Sequence, residues 1–327
     1  MKVSKFEKRI KIGVFSPAAS TRKSRRYLRA FNFLSEHDLD IIEGDLIQNN
    51  YHYCSGTIEE RARELNLLIH SDCDILYATI GGLNSASLLP LINYDFLKTN
   101  PKIFVGNSDI SSILSALYTK ARQGCYYFMT LIPAFGEFGY FLDENYRLFC
   151  DLILKGSNRY DYVIPELWTD DWVNWDEYER EKVVNRNKWL SLSHGKTEGI
   201  LVGGNFSTLV KLCGTQYLYD FTDKILFLED TSINAAELES NVAIFKQNGV
   251  FDKIKGLIIC KCEKYNDLGT GKKFSEWFAN FLSEYSFPIL GEFDCGHTHP
   301  CLPMLIGGNY VLEVSKSKTG VYLRNEK

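Results

Sequence analysis

The feature that most constrains this chain is an alternation of short apolar runs with stretches of helical spacing. Ile10–Phe15 (IKIGVF) is apolar and stops at Ser16-Pro17. Residues 24–36 follow with Tyr27, Leu28, Phe31 and Leu34 on one helical face. Residues 57–70 (TIEERARELNLLIH) form an amphipathic pattern opened by Thr57, with Glu60 three positions on, the signature of a capping box. Residues 74–80 (DILYATI) read as a strand closed by Gly81-Gly82, Ser85–Leu91 as a short helix, and residues 103–105 as another strand. After Ser108, the residues Ile110, Ile113, Leu114 and Leu117 return to helical spacing. Strand-to-helix alternation of this kind predicts a parallel α/β sheet.

The pattern breaks in the middle. Residues 157–188 are polar and charged and carry Trp168, Trp172 and Trp175 after Pro165. No strand period is evident, so this segment is expected to be a long excursion or lid, and long ordered loops tend to be functional. From Trp189 the strand signal resumes in EGILVGG, KILFLED and GLIICKC, with helical patterns over residues 236–248 and 274–285 and closing strands at residues 310–314 and 320–323. The expected division is therefore an N-terminal domain over residues 1–155, a tryptophan-rich linker over 156–189 and a C-terminal domain over 190–327. A chain of 327 residues can give each domain a core of its own.

Composition removes several classes of function. The formal charge is −4 with no long basic run, which argues against a nucleic-acid polymer as partner. No stretch approaches the roughly 18 apolar residues that span a bilayer, so no membrane partner is expected. The opening residues are basic, but the apolar run after them is interrupted by Lys11 and too short for a signal-peptide core. The expected location is the cytoplasm, where nine cysteines without framework spacing would be reduced, mostly buried, small apolar residues.

Chemistry enters at residues 102–112, KIFVGNSDISS. A serine between a strand and a helix can be a plain N-cap, a role Asp109 could equally fill. It can also be a nucleophile raised above the sheet edge, with the helix N-terminus favouring a developing oxyanion. Gly106-Asn107-Ser108-Asp109-Ile110 keeps the first glycine of the Gly-x-Ser-x-Gly elbow and lacks the second. At Gly81-Gly82 the small residues would let backbone amides approach a substrate, with Gly82 beside Asp109 as oxyanion donors; the alternative is an ordinary turn.

A serine nucleophile needs a base and the base an orienting acid. The six histidines are His37, His52, His70, His194, His297 and His299. His37 and His70 read as structural. His297 and His299 lie in DCGHTHPCLP, a loop after a strand, where functional residues concentrate. Glu229-Asp230 ends the apolar run ILFL, and strand alternation lets only one of them face a given partner. One would orient a histidine, or both would be salt-bridged or capping acids. A rival reading uses Cys295, His297 and His299 as zinc ligands. Gly296 and Pro300 argue against a regular strand there, and no second ligand cluster has suitable spacing.

Taken together, KIFVGNSDISSIL, ATIGGLNSASLLPLINYDFLKTNPKIF, ILFLED and CGHTHPCLPMLIGG resemble the serine LD-carboxypeptidase family, which includes muramoyltetrapeptide carboxypeptidases and microcin C immunity proteins. The motifs run in order from Phe15 to Gly308. The resemblance implies an N-terminal parallel-sheet domain with a nucleophile elbow, a C-terminal mixed α/β domain and an active site at their junction. It implies a serine carboxypeptidase or amidase with Ser108 as nucleophile, Glu229 as orienting acid, His297 as base and the amides of Gly82 and Asp109 as oxyanion hole. It implies no metal or other cofactor, a small peptide or peptidyl-nucleotide substrate, and a homodimer. One position departs: Asn107 stands where the family usually has tyrosine, so contacts near the corner should differ. The tryptophan-bearing insertion and GGLNSASLLPLINYDFLK resemble the microcin C immunity branch, which acts on peptidyl or aminoacyl nucleotides, more than the murein-tetrapeptide enzymes. In that branch Trp172 or Trp175 would stack on a nucleotide base, a contact worth about 1–3 kcal/mol; alternatively they pack the domain junction. Gly81 and Asn107 are expected beside them at the substrate. A zinc hydrolase and a non-catalytic peptide- or nucleotide-binding protein remain the readings from other classes.

Overall fold

The computed structural model describes residues 9–21, 24–178 and 180–325; the basic opening residues 1–8 lie outside them. Five strands lead the chain: β1 (Ile10–Phe15), β2 (Leu39–Glu43), β3 (Ile75–Ala78), β4 (Ile103–Gly106) and β5 (Cys125–Tyr127). Three short ones follow, β6 (Arg159–Asp161), β7 (Leu167–Trp168) and β8 (Asn185–Arg186). Then come β9 (Leu190–Ser193), β10 (Gly195–Asn205), β11 (Ile225–Glu229), β12 (Gly256–Cys260), β13 (Ile289–Phe293), β14 (Met304–Ile306), β15 (Asn309–Val314) and β16 (Thr319–Arg324).

The first sheet has the order β14-β5-β4-β3-β1-β2, and the second β6-β16-β15-β10-β11-β12-β13-β9. Strands β2, β1, β3, β4 and β5 are mutually parallel, as the alternation predicts. Strands β3 and β4 are buried along their whole length, the condition of a sheet covered on both faces. In the second sheet β10 to β13 are parallel, and antiparallel strands flank them. This is the expected α/β architecture, a parallel-sheet unit followed by a mixed one. The helix Ile58–His70 begins with Thr57 and Glu60 in a reciprocal capping box, as read from sequence.

The sheets do not follow the linear division of the chain. Strand β14 leaves the second unit and pairs antiparallel with β5, Met304 opposite Tyr127. Strand β6, within the expected linker, joins the edge of the second sheet against β16. The rest of that linker is a loop closed by the small β7–β8 ladder. Thr169 on this loop exchanges backbone hydrogen bonds with His299, at 2.8 and 2.9 Å, so the excursion is tied to the histidine loop. Apolar side chains of both sheets form one continuous core. All nine cysteines are free, and six are buried. Among the described residues no helix is long and apolar enough to cross a membrane.

Candidate active site

Strand β4 ends at Gly106, and Ser108 opens a 3-10 turn, Ser108–Ile110, that runs into the helix Ser111–Ala121. Neither Ser108 nor Asp109 caps this helix with its side chain. Ser108 has φ +60°, a left-handed conformation that a non-glycine residue adopts at a cost of order 1–3 kcal/mol. The strain projects the side chain off the strand end. Gly81 makes room for it: a Cβ there would fall 2.9 Å from Ser108 Cβ and 3.0 Å from Oγ. The Asp109 carboxylate turns inward and accepts from the Ser85 amide at 2.8 Å.

Glu229 is the last residue of β11 and fully buried. Oε2 accepts from His297 Nδ1 at 2.7 Å, and Oε1 accepts from the Tyr127 hydroxyl at 2.5 Å and from Asn205 Nδ2 at 3.0 Å. Three donors make a dry carboxylate tolerable. The His297 loop packs so tightly on it that a Cβ on Gly296, at φ +120°, would lie 2.4 Å from Glu229 Oε2. With Nδ1 committed to Glu229, the neutral His297 ring leaves Nε2 as acceptor toward the cavity. Burial alone would lower the His297 pKa, but the charge and hydrogen bond of Glu229 lift it to about 9. The Ser108 hydroxyl and the His297 ring share the cavity wall without a direct hydrogen bond in this conformation; such contacts commonly tighten only when substrate binds.

Alternation along β11 sends Asp230 the other way. Its carboxylate accepts from the Ser207 hydroxyl (2.7 Å), the Ser207 amide (3.1 Å), Asn205 Nδ2 (3.2 Å) and the Thr231 amide (3.0 Å). Burial, then the charge of Glu229, raises its pKa to about 6.

Two side chains that sequence reasoning passed over join these parts. The Tyr127 hydroxyl accepts from the Ser108 amide at 3.0 Å while donating to Glu229, so one phenol connects the elbow to the acid. Asn205, after Gly203-Gly204 at the end of β10, holds both carboxylates. The only signal for Asn205 was a polar residue closing an apolar Gly-Gly run, and for Tyr127 there was none.

Asn107 proves to be a brace. Its Nδ2 donates to the Gly296 carbonyl at 3.1 Å and its Oδ1 accepts from the Thr130 amide at 2.9 Å, tying the elbow to the histidine loop. It borders the cavity, but both polar ends are engaged by backbone. His299, two residues beyond His297, lines the same cavity, but its Nε2 lies 3.3 Å from Glu137 Oε2. Cys295, His297 and His299 therefore do not converge. Among the described residues no group of three or more His, Cys, Asp or Glu is placed to hold a metal ion.

Ser108 stands between two cavities. One, of about 270 Å³, is lined by Gly81, Gly82, Asn107 and His297 together with Trp172, Arg26, Lys182 and Glu263. The other, of about 380 Å³, is polar, with Asn205, Ser207, Lys211 and Ser232. Trp172 is half exposed beneath Lys264, whose Nζ lies 4.6 Å from the ring centroid. Trp175 lies outside both cavities; it is buried edge-on against Phe138, ring centroids 4.9 Å apart. Of the two tryptophans expected at the substrate, only Trp172 lines the site.

Comparison with known proteins gives the family. Residues 12–128 match the LD-carboxypeptidase N-terminal domain and residues 198–312 the LD-carboxypeptidase C-terminal domain. The chain belongs to the LD-carboxypeptidase family. Within it, the chain is 36% identical to the microcin C7 self-immunity protein MccF of Escherichia coli over 97% of its length and 95% of that protein's. The solved structure of MccF in complex with glutamyl sulfamoyl guanosine superposes with a TM-score of 0.92 at 34% identity, covering 98% of this chain and 96% of that one. An MccF-like protein from Bacillus anthracis superposes with a TM-score of 0.86 at 28% identity, covering 98% of each chain. A serine-type peptidase of this family is thus the enzyme to which the elbow belongs.

Proposed function

We propose that the protein hydrolyses the acyl–nitrogen bond of an aminoacyl or peptidyl nucleotide, with Ser108 as nucleophile, His297 as base and Glu229 as its orienting partner. The observation that carries this is the hydrogen-bonded line from buried Glu229 to His297, facing a strained Ser108 between two cavities. Neutral His297 takes the Ser108 proton through Nε2 while Oγ attacks the carbonyl carbon. The oxyanion is held by the amides of Gly82 and Asp109. The Asp109 amide opens the turn and has no helical acceptor of its own, whereas the Ser108 amide is already spent on Tyr127. Protonated His297, stabilised by Glu229, gives its proton to the leaving nitrogen. Water, activated by the same ring, then releases the acid and restores Ser108.

His297 borders the smaller cavity and not the polar one. The group protonated by His297 therefore leaves through the cavity of Trp172, and the acyl part occupies the polar cavity of Asn205. A flat aromatic at the leaving-group side suits a nucleoside, the class of ligand bound by the solved MccF complex. The homodimer expected from the family and the cytoplasmic location expected from the sequence pattern are part of this reading; sedimentation at micromolar concentration should give twice the chain mass.

The test is parallel incubation with glutamyl sulfamoyl guanosine and with a murein tetrapeptide, products followed by mass spectrometry. Release of glutamate by the wild type, and none by Ser108→Ala, supports the reading. Cleavage of the murein peptide alone overturns the nucleotide preference and favours the murein carboxypeptidase alternative. Ligand binding without cleavage of either would point to a binding protein.

A further inference from the structure

Arg26 lines the same cavity as Ser108, in the first turn of the helix Arg25–Ser35. Its backbone is pinned, the amide donating to Ser24 Oγ at 3.1 Å and to Asp176 Oδ1 at 2.9 Å. Its side chain is not. Nε is buried without a hydrogen-bond partner, and no hydrogen bond or ion pair joins the guanidinium to any described residue. Burial lowers its pKa, the mark of a cation short of solvent and of partners.

The neighbouring carboxylates are engaged elsewhere. Glu137 is held by Lys182 Nζ at 2.6 Å and faces His299 Nε2 at 3.3 Å. Asp176 accepts from the Ser24 hydroxyl at 2.8 Å and from the backbone of Arg26. Glu263, on the cavity wall, accepts from the Thr231 hydroxyl at 2.9 Å. A structural arginine in this fold looks different: fully buried Arg61 spends Nε on the Gly56 carbonyl at 3.0 Å and an η nitrogen on the Pro17 carbonyl at 2.6 Å.

We propose that Arg26 is a specificity residue that binds an oxyanion, carboxylate or phosphoryl, carried by the leaving group. A guanidinium offers up to five donors in a planar fork that matches such groups. The leaving-side assignment rests on the nucleophile reading above, since it follows from His297 lining this cavity. The Lys182 charge on the same wall is matched by Glu137, which leaves Arg26 as the cation without a side-chain partner among the described residues of the wall.

The experiment compares paired amides that differ only in leaving-group charge. Glutamyl-glycine is set against glutamyl-glycinamide, and glutamyl-aminoethyl phosphate against its dimethyl ester. For the wild type, kcat/KM should favour the anionic member of at least one pair by about tenfold or more, because a site built around a polar partner rejects the analogue lacking it. The preferred pair identifies the oxyanion. In Arg26→Gln the preference should collapse, mainly through KM, and Arg26→Lys should restore part of it. Equal preference in wild type and Arg26→Gln overturns the proposal. If the wild type cleaves no compound, the nucleophile reading fails instead, and calorimetric binding of the same compounds decides the subsite. Weaker binding of the anionic members to Arg26→Gln supports it, and unchanged binding overturns it.

Discussion

The site contains two histidine–carboxylate pairs on one loop, and they are opposites. His297 faces Glu229, whose other donors are the neutral Tyr127 and Asn205, so the carboxylate's charge acts on the imidazole and draws its pKa up to about 9. His299 faces Glu137, whose charge is matched by buried Lys182, and burial together with Lys182 and Arg26 holds that ring well below the ordinary histidine range. Both histidines are buried against glutamate. The third group, a neutral donor in one pair and an ammonium in the other, decides which ring can carry a proton.

The sharpest break in this comparison is removal of each ring. His297→Ala should lower kcat by about 10⁴-fold or more. His299→Ala should cost about tenfold or less in kcat and show mainly as lost stability, about 1–3 kcal/mol in urea unfolding. Equal losses in kcat would end the distinction. Next in size is Glu229→Gln, which keeps the shape and removes the charge; kcat should fall by about 10³–10⁴-fold while KM stays within a few-fold.

The pH profile tests the same charge without mutation. In the proposed mechanism acylation requires neutral His297, whose neutral fraction grows as pH rises toward about 9. The limiting slope of log kcat/KM should therefore be about one per pH unit below that value, levelling above it. In Glu229→Gln the break should move to lower pH, because the stabilising anion is gone. Lys182→Met sharpens the other pair: with the ammonium removed, Glu137 should raise the His299 pKa, seen by NMR titration of the ring. The smallest effect is expected for Asn107→Ala, which removes two hydrogen bonds to backbone, each worth about 1 kcal/mol, and should lower kcat by about tenfold while leaving the pH break in place.

Local pattern carried the architecture a long way. The capping box at Thr57 and Glu60, the parallel run of β1, β3 and β4 and the corner at Ser108 follow from periodicity and turn chemistry, whereas β2 and β5 gave no such signal. Ser108, Glu229 and His297 were picked out by the family motifs that hold them; turn chemistry by itself left Ser108 as either cap or nucleophile. Their neighbours were not. Tyr127 lies in an ordinary strand, and nothing in CYY indicates that its hydroxyl bridges the elbow and the acid. Asn107 was expected to meet substrate, but its amide braces a loop that arrives from residue 296. Trp172 and Trp175 were interchangeable in sequence until packing put one against Phe138 and the other on the cavity.

Relations between neighbours a few positions apart thus carried the alternation of strands and helices, the serine corner and the residue types able to run acyl transfer. Packing in three dimensions settled that β14 returns to the first sheet, that Glu229 rather than Asp230 meets His297, that the His299 pKa is held low and that Arg26 has no side-chain partner among the described residues. Those outcomes depend on charges and donors brought together from segments far apart in the chain. Electrostatic and hydrogen-bonding energies are set by distance in space and by the exclusion of water, and neither can be read along a line of residues.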